Sequence, residues 1–218
     1  MLINEFGGII MRILFQGDSI TDVGRSRETN DMIGLGYPLL VKAALGKEEP
    51  AKYEFFNRGI SGNRIVDLYA RIKADIINLK PDVMSILIGV NDVWHEFSEA
   101  GPNGVEAEKY FKIYSMLIEE VKAALPNIKI MILEPFALQG TGNEKYWDVF
   151  FDEVKKRAKK AEELAEKYQL TFIPLQEKLE QAATTAPASY WLVDGVHPSA
   201  MGHELIKQEW LQYFKTIR

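Results

Sequence analysis

The chain contains no cysteine among its 218 residues. This absence excludes disulfide scaffolds, zinc fingers, iron–sulfur clusters and thiolate nucleophiles, and it gives no hint of an oxidising compartment. Long uncharged apolar runs are also missing, and the most apolar windows, 83–90 and 128–133, have the length of strands. Basic residues are outnumbered: the chain has 26 Lys and Arg and 31 Asp and Glu, which gives a net charge of −5. The composition therefore favours a small-molecule partner over nucleic acid, and no membrane insertion.

The length of the chain fits one large domain better than two, because domains mostly have about 100 to 200 residues. The N-terminal segment lacks the basic region of a secretory signal, and Glu5 and Arg12 flank its short apolar run. A processed mature chain would show the same features. We expect one domain over 1–218 and a cytoplasmic location. Because Met11 directly precedes the first predicted strand, residues 1–10 are an alternative start or an extension.

Short apolar segments alternate with longer amphipathic ones along the chain, which is typical of strands and helices in a parallel α/β sheet. The pattern predicts five strands, at 12–16, 53–57, 83–89, 128–134 and 171–174. It predicts helices at 37–45, 64–78, 105–125, 144–168 and 200–217. Parallel sheets bind ligands beyond the carboxyl ends of their strands, so we expect the chemistry in the loops that follow the strands.

Ser19 lies in the segment GDSIT, directly after the first predicted strand. A serine at such a junction either caps the following helix or presents its hydroxyl as a nucleophile near the positive end of the helix dipole. The segment matches neither GxSxG nor the phosphate-binding GxxxxGK[ST], so phosphate-loop NTPases are excluded. Taken alone, Ser19 fits both interpretations.

Asp194 and His197 stand three positions apart in DGVHP, where a glycine and a proline predict a turn. The pair has three interpretations: a turn that satisfies its own hydrogen bonds, two metal ligands completed by His203, or a base with its orienting carboxylate. A candidate serine elsewhere favours the third, because serine, aspartate, histidine is a known order in serine hydrolases. We interpret His95 and His203 as surface or helix-capping residues.

Acyl transfer also needs hydrogen-bond donors aimed at the developing oxyanion. Gly62 in ISGN has a backbone N–H that a ligand can approach closely, and Asn91 in GVND has an amide that can donate. Each is alternatively a turn residue. The hypothesis of an acyl-transfer site rests on the conjunction, since separate loops after strands supply a nucleophile, two donors and a base with its carboxylate.

With the blocks GDSIT, GISGN, GVND and DGVHP in this order, the sequence resembles the GDSL or SGNH hydrolases. The resemblance implies a flavodoxin-like three-layer α/β/α sandwich with a five-stranded parallel sheet. It also implies a serine esterase that uses no metal and no cofactor. In that family pattern Ser19 is the nucleophile, His197 the base and Asp194 the orienting carboxylate, while Gly62, Asn91 and the backbone N–H of Ser19 form the oxyanion hole.

Within the family, the segments GDSITD, NRGISGN and IGVNDVW resemble intracellular acetylxylan esterases and related carbohydrate O-deacetylases. This resemblance implies an O-acetylated oligosaccharide as substrate. Residues beside the motif loops are candidates for binding it, although each aromatic ring alternatively packs beneath its loop: Asp18, Asn63, Arg64, Trp94, Phe136, Tyr190 and Trp191. Lysophospholipases, thioesterases and arylesterases with the same blocks are alternatives, as is a non-catalytic carbohydrate-binding protein. The sequence leaves a homo-oligomer open.

Overall fold

The computed structural model describes residues 2–3, 8–99 and 101–218. Its strands are β1 (Leu2–Ile3), β2 (Ile9–Gly17), β3 (Tyr53–Asn57), β4 (Val83–Leu87), β5 (Lys129–Leu133) and β6 (Thr171–Ile173). Within the described residues, β2 to β6 run parallel in the order β3-β2-β4-β5-β6. This is the strand order of flavodoxin-like sheets, so the predicted five-stranded parallel sheet is confirmed.

The segment 1–10 was predicted to be an alternative start or an extension. Within it, β1 pairs antiparallel with the start of β2, with Leu2 opposite Ile10 and Ile3 opposite Ile9. Residues 1 and 4–7 of this segment lie outside the described residues. The described part of the segment therefore adds a short antiparallel strand to the sheet.

Helices cover both faces of the sheet. They are α1 (Ser19–Asp22), α2 (Tyr37–Glu48), α3 (Ile65–Ala70), α4 (Ile72–Asp75), α5 (Val90–Trp94), α6 (Ala107–Ala124), α7 (Trp147–Tyr168), α8 (Gln176–Ala183), α9 (Ala188–Trp191) and α10 (Ala200–Phe214). Short 3-10 turns add Ile77–Leu79, His95–Phe97 and Glu144–Tyr146. In the parts of the chain that the structure describes, no helix is long and apolar enough to cross a membrane.

Four of the five predicted helices correspond to α2, α6, α7 and α10, with ends that differ by a few residues. The predicted helix 64–78 is instead broken into α3, α4 and a 3-10 turn. Arg71 stands at the first break with φ −111° and ψ 15°, outside the helical region. The sequence did not predict α5, α8 or α9, which are all short.

Alternate residues of β2 face opposite layers, as the twofold period of a strand requires. Ile13 and Phe15 belong to the core cluster that includes residues of α2 and α10, whereas Leu14 belongs to the cluster that includes residues of α3 and α6. All three side chains are fully buried. Burial on both faces explains why these strands read as continuous apolar runs in the sequence.

Candidate active site

Ser19 is the first residue of α1, directly beyond the carboxyl end of β2. Asp18 caps this helix, because its Oδ1 accepts a hydrogen bond from the Ile20 N–H at 3.0 Å. The capping role that the sequence left open for Ser19 therefore belongs to Asp18. The Ser19 N–H has no intrahelical acceptor, since it lies in the first turn. The Ser19 hydroxyl Oγ lies 2.9 Å from Nε2 of His197.

Asp194 binds the imidazole of His197 on the side opposite Ser19. The imidazole Nδ1 lies 2.7 Å from Asp194 Oδ2, and Asp194 Oδ1 accepts the backbone N–H groups of Val196 (3.0 Å) and His197 (2.9 Å). Burial raises the pKa of Asp194, but the hydrogen bonds from His197 and Val196 outweigh it and leave this pKa below its ordinary value. Asp194 is therefore an anion at neutral pH and orients the ring toward Ser19.

The loop that follows β5 packs beneath the turn containing Asp194. The Leu138 N–H donates to Gly195 O and the Gly142 N–H donates to Asp194 O, both at 2.9 Å. Buried Asn143 donates to Leu138 O at 2.8 Å and so shapes the supporting loop. Gly195 has φ +101°, and a Cβ there would lie 2.6 Å from Leu138 O. The turn thus needs glycine for both its conformation and its close packing.

Gly62 leaves open space where a side chain would stand, because the nearest atom to a Cβ built there is His95 Nε2 at 3.9 Å. Its φ of +79° lies in the left-handed region that glycine adopts without strain. The Asn91 side chain donates from Nδ2 to Asn63 O at 3.2 Å and ties α5 to the Gly62 loop. An amide NH₂ has two donors, so the second remains available to a ligand.

The three loops that carry Ser19, Gly62 and Asn91 follow β2, β3 and β4, which are neighbours in the sheet. Buried polar side chains join these loops. Asn57 donates to Thr21 O at 2.6 Å and to Ile33 O at 2.8 Å, and Asp92 accepts the Ile65 N–H at 3.1 Å and 3.2 Å. The arrangement can therefore present a hydroxyl and several N–H donors on a fixed frame.

Burial also sets the charge of two carboxyls beside these loops. It raises the pKa of Asp18 to about 7 and that of Asp92 to about 7, although the hydrogen bonds from Ile20 and Ile65 oppose the rise. Around neutral pH, each of the two carboxyls is therefore protonated in a fraction of the molecules. The extra negative charge next to Ser19 and Asn91 is correspondingly reduced.

Comparison with known proteins then identifies the family. The sequence profile of the GDSL-like lipase/acylhydrolase family matches residues 15–205, which is most of the chain. The chain belongs to this family. An acetylxylan esterase from Geobacillus stearothermophilus is 32% identical to it over 208 residues, which cover 92% of each chain. The chain is accordingly a carboxylic ester hydrolase.

Solved structures of similar proteins agree with the assignment of this chain to the GDSL family. A protein from Parabacteroides merdae called a GDSL-like lipase superposes with a TM-score of 0.88 at 36% identity, covering 95% of this chain and 97% of that one. The acetylxylan esterase from Geobacillus stearothermophilus superposes with a TM-score of 0.84 at 30% identity, covering 94% of each chain. The expected SGNH hydrolase fold is confirmed.

Several candidate substrate-binding residues of this hydrolase make hydrogen bonds that stabilise its loops. Asp18 is buried beneath α1. The Arg64 guanidinium donates to the Asp67 carboxylate and to Asn103 O, and the backbone N–H of Arg64 donates to Asp67 at 2.8 Å. Asn63 accepts a hydrogen bond from Arg71 Nε at 2.9 Å. The contacts of Arg64 and Asn63 fix the segment around Gly62 and leave Arg64 few polar atoms for a ligand. Asp18 has a free Oδ2, but it is buried.

The candidate aromatic residues fall into two groups. Tyr190 is 47% exposed, and its ring meets the half-buried Trp191 ring edge-on with centroids 5.2 Å apart. Trp94 is half-buried and packs edge-on against Phe150 at 5.5 Å. Phe136 is buried in the core, so the expectation that it stacks on a sugar is wrong. It follows β5 directly, where the chain still runs inside the fold.

His203 corrects part of the sequence interpretation. It is buried, not exposed, and its Nδ1 accepts the Tyr37 N–H at 3.1 Å, so it caps α2. Burial lowers the pKa of His203 to about 4, which keeps the ring neutral. Gly36 leaves the space for this ring. His203 does not complete a metal site with Asp194 and His197, and the described residues contain no group of three side chains suited to a metal.

His95 lies in the 3-10 turn after α5 and is half-buried beside Gly62. Burial lowers the pKa of His95, and the nearby Arg64 charge lowers it further. No sequence pattern predicted that this ring would lie beside Gly62. The block GVNDVW carries Asn91, and one further turn brings His95 to the same loop cluster.

Proposed function

We propose that this ester hydrolase is a serine esterase that uses Ser19, His197 and Asp194. The observation that carries the proposal is the hydrogen-bonded chain from Ser19 Oγ to His197 Nε2 at 2.9 Å and from His197 Nδ1 to Asp194 Oδ2 at 2.7 Å. Both distances are within normal hydrogen-bond range. An anionic Asp194 keeps the proton on Nδ1 and leaves Nε2 free to accept the serine proton.

The proposed reaction has two stages. Ser19 Oγ attacks the ester carbonyl carbon while His197 Nε2 takes the hydroxyl proton, and the carbonyl electron pair moves onto oxygen. The N–H groups of Ser19 and Gly62 and the Asn91 amide donate to this oxyanion. The imidazolium then protonates the leaving alcohol oxygen as its bond to carbon breaks. Water attacks the acyl-enzyme with His197 again as base, which releases the acid and restores Ser19.

We propose O-acetylated oligosaccharides as the substrate. The support is the 32% identity to an acetylxylan esterase over 92% of the chain. Tyr190 and Trp191 add aromatic surface next to the Asp194 loop, and such surface suits the apolar faces of sugar rings. Trp94 and Asn63 lie in the neighbouring loops, whereas Asp18 and Arg64 shape those loops. Removal of an acetyl group from a sugar hydroxyl is the reaction we expect.

The central test is the Ser19→Ala variant. We expect it to lose nearly all hydrolysis of p-nitrophenyl acetate, because loss of the nucleophile of a triad typically costs on the order of a millionfold in kcat. Its free energy of unfolding should change by about 1 kcal/mol or less, since Asp18 caps the helix. Activity above about a hundredth of wild type would exclude Ser19 as nucleophile.

A fluorophosphonate probe separates the esterase from a non-catalytic binding protein. We expect one covalent adduct on Ser19, detected by mass spectrometry of the peptide that contains it. The Ser19→Ala variant is the matched control and should remain unlabelled. Wild-type protein that stays unlabelled would favour the binding protein.

A panel of esters tests the substrate. We expect acetate release from acetylated xylo-oligosaccharides, and faster cleavage of acetyl than of octanoyl p-nitrophenyl esters. A steep preference for the octanoyl ester would favour a lysophospholipase or thioesterase and would contradict the acetylesterase. Cleavage confined to aryl esters would favour an arylesterase.

We also propose that the enzyme acts in the cytoplasm. The support is the resemblance of its motif segments to intracellular acetylxylan esterases, together with the absence of cysteine. Immunodetection of the protein in cytoplasmic and extracellular fractions of the source cells is the test. Recovery outside the cells would contradict the proposed location.

A further inference from the structure

Asp22 is a carboxylate close to the site that the proposed reaction does not use. It is the last residue of α1, three positions after Ser19, and its side chain is only 9% exposed. Asp22 Oδ2 accepts the backbone N–H of Ser61 at 3.0 Å. Ser61 immediately precedes Gly62, so this bond connects the helix of the candidate nucleophile to the loop of a candidate oxyanion donor.

Two arginines extend the same connection. Arg27 binds both carboxylate oxygens of Asp22, with Nη1 at 3.2 Å and Nη2 at 2.5 Å. Arg27 Nη1 also donates to Gly59 O at 3.3 Å, and Arg25 Nε donates to the same oxygen at 2.7 Å. The segment that follows Ser19 therefore holds the 59–61 backbone at two atoms, Gly59 O and the Ser61 nitrogen.

The backbones approach closely here, because a Cβ on Gly59 would lie 2.5 Å from the Asp22 nitrogen. The ion pair itself is exposed on the Arg27 side, whose side chain is 50% exposed, and exposed pairs contribute little to stability. Ser61 is exposed as well. A purely stabilising role therefore explains these contacts poorly, whereas a role in positioning the loop uses all of them.

We infer that Asp22 is a positioning residue for the oxyanion donor Gly62. It fixes the Ser61 N–H against α1, with Arg27 holding the carboxylate and, together with Arg25, the Gly59 carbonyl. The N–H groups of Gly62 and Ser19 are thereby kept in one relative position. This inference rests on the proposed function, in which both N–H groups donate to the oxyanion.

The test compares Asp22→Ala with Asp22→Asn on p-nitrophenyl acetate. We expect Asp22→Ala to lower kcat by about tenfold to a hundredfold with little change in KM, because a displaced donor loses stabilisation that operates chiefly in the transition state. Asp22→Asn keeps an oxygen that can accept the Ser61 N–H, so it should recover most of the lost kcat. A purely structural role would not separate kcat from KM in this way.

Glu54→Ala is the matched control. Glu54 pairs with Arg12 at 2.8 Å near the amino end of β3, away from the loops of the site. This variant loses a carboxylate from an ion pair and should keep the wild-type kcat. If Asp22→Ala had the same kcat as Glu54→Ala, or raised KM at unchanged kcat, the inference would be overturned.

Ser19→Ala in the same assay separates this inference from the proposed function. An active Ser19→Ala variant contradicts the proposed nucleophile. An inactive Ser19→Ala beside a fully active Asp22→Ala contradicts only the positioning role. Circular dichroism and thermal unfolding check that each variant folds. If Asp22→Ala does not fold, Arg27→Gln replaces it as the test. This variant should lower kcat by a smaller factor, since Arg25 still binds Gly59 O. An unchanged kcat would overturn the inference.

Discussion

The candidate site combines two regions that are held in different ways. The region of the proposed nucleophile consists of the loops after β2, β3 and β4, which the buried polar side chains Asp22, Asn57 and Asp92 join. The region of the base is the turn before α10, where the side chains of Asp194 and His197 are 30% and 47% exposed. Backbone hydrogen bonds from the loop after β5 support that turn.

The difference matches what each region has to do. Oxyanion donors stabilise the transition state only if they are preorganised, so a buried polar network is well suited to hold them. A base needs one ring orientation, which a single carboxylate can supply. We therefore expect a change at Asp194 to cost the orientation of the base, and a change in the nucleophile region to cost stabilisation of the oxyanion.

Among the variants that probe this comparison, Asp194→Asn should have the largest effect. We expect kcat to fall by about 10⁴-fold, because an amide does not orient the ring in the required tautomer, as found for the serine-protease triad. Steady-state kinetics on p-nitrophenyl acetate measure kcat for the variant and the wild type. A kcat within about tenfold of wild type would show that Asp194 does not orient the base.

Asn91→Ala should come second. We expect kcat to fall by roughly 10²- to 10³-fold with little change in KM, the signature of a donor used in the transition state. Asn127→Ala, an exposed asparagine at the amino end of the sheet, is the control. A raised KM at unchanged kcat would mean that the Asn91 amide binds the substrate ground state.

The smallest effect should be on stability, at the contact between α2 and α10, the helix that follows the turn of the base. His203 of α10 caps α2, and burial lowers the pKa of His203 from 6.5 to about 4. Between these two pH values the unfolded chain binds a proton at His203 that the folded state does not bind. The contribution of the neutral His203 ring to the free energy of unfolding is therefore complete above pH 6.5 and is lost as pH falls toward 4. We expect a loss of about 3 kcal/mol over that interval.

His203→Asn keeps an acceptor for the Tyr37 N–H but does not titrate, so it serves as the reference. Denaturant unfolding of both proteins between pH 7 and pH 4 gives the difference. Taking this difference cancels the contributions of Asp18 and Asp92, whose raised pKa values favour the folded state in acid relative to neutral pH. Parallel stability curves for the two proteins would contradict the assignment.

Sequence patterns predicted the sheet because its strands are buried on both faces and therefore form unbroken apolar runs. They failed at the helix 64–78, where the apolar spacing continues through Arg71 although the helix does not. The Arg71 guanidinium donates to Arg58 O and Asn63 Oδ1 in the loop after β3, and to Asp75 Oδ2 in α4. Contacts with a preceding loop leave no trace in the apolar period of the helix.

The same limit applies to the candidate site. The four motif blocks led to Ser19 and to its proposed partners, since three of them follow strands and the fourth precedes the last helix. Asp22 and Asn57 were not singled out, because they bind backbone atoms of other loops. Asn143 was not singled out either, because its role is to bind Leu138 O and the Gly140 N–H within its own loop. His203 was placed at the surface or a helix end, because nothing near it in the sequence shows that Gly36 makes room for its ring. Tertiary contacts decide these roles.

The hydrogen bond between Ser19 and His197 joins residues 178 positions apart, near opposite ends of the chain. During translation, the nucleophile loop leaves the ribosome long before the base has been synthesised. A nascent chain that has folded β2, β3 and β4 already carries the donor loops, yet it still lacks Asp194 and His197. Under the proposed mechanism, chains that terminate before Asp194 should therefore be inactive in the ester assay.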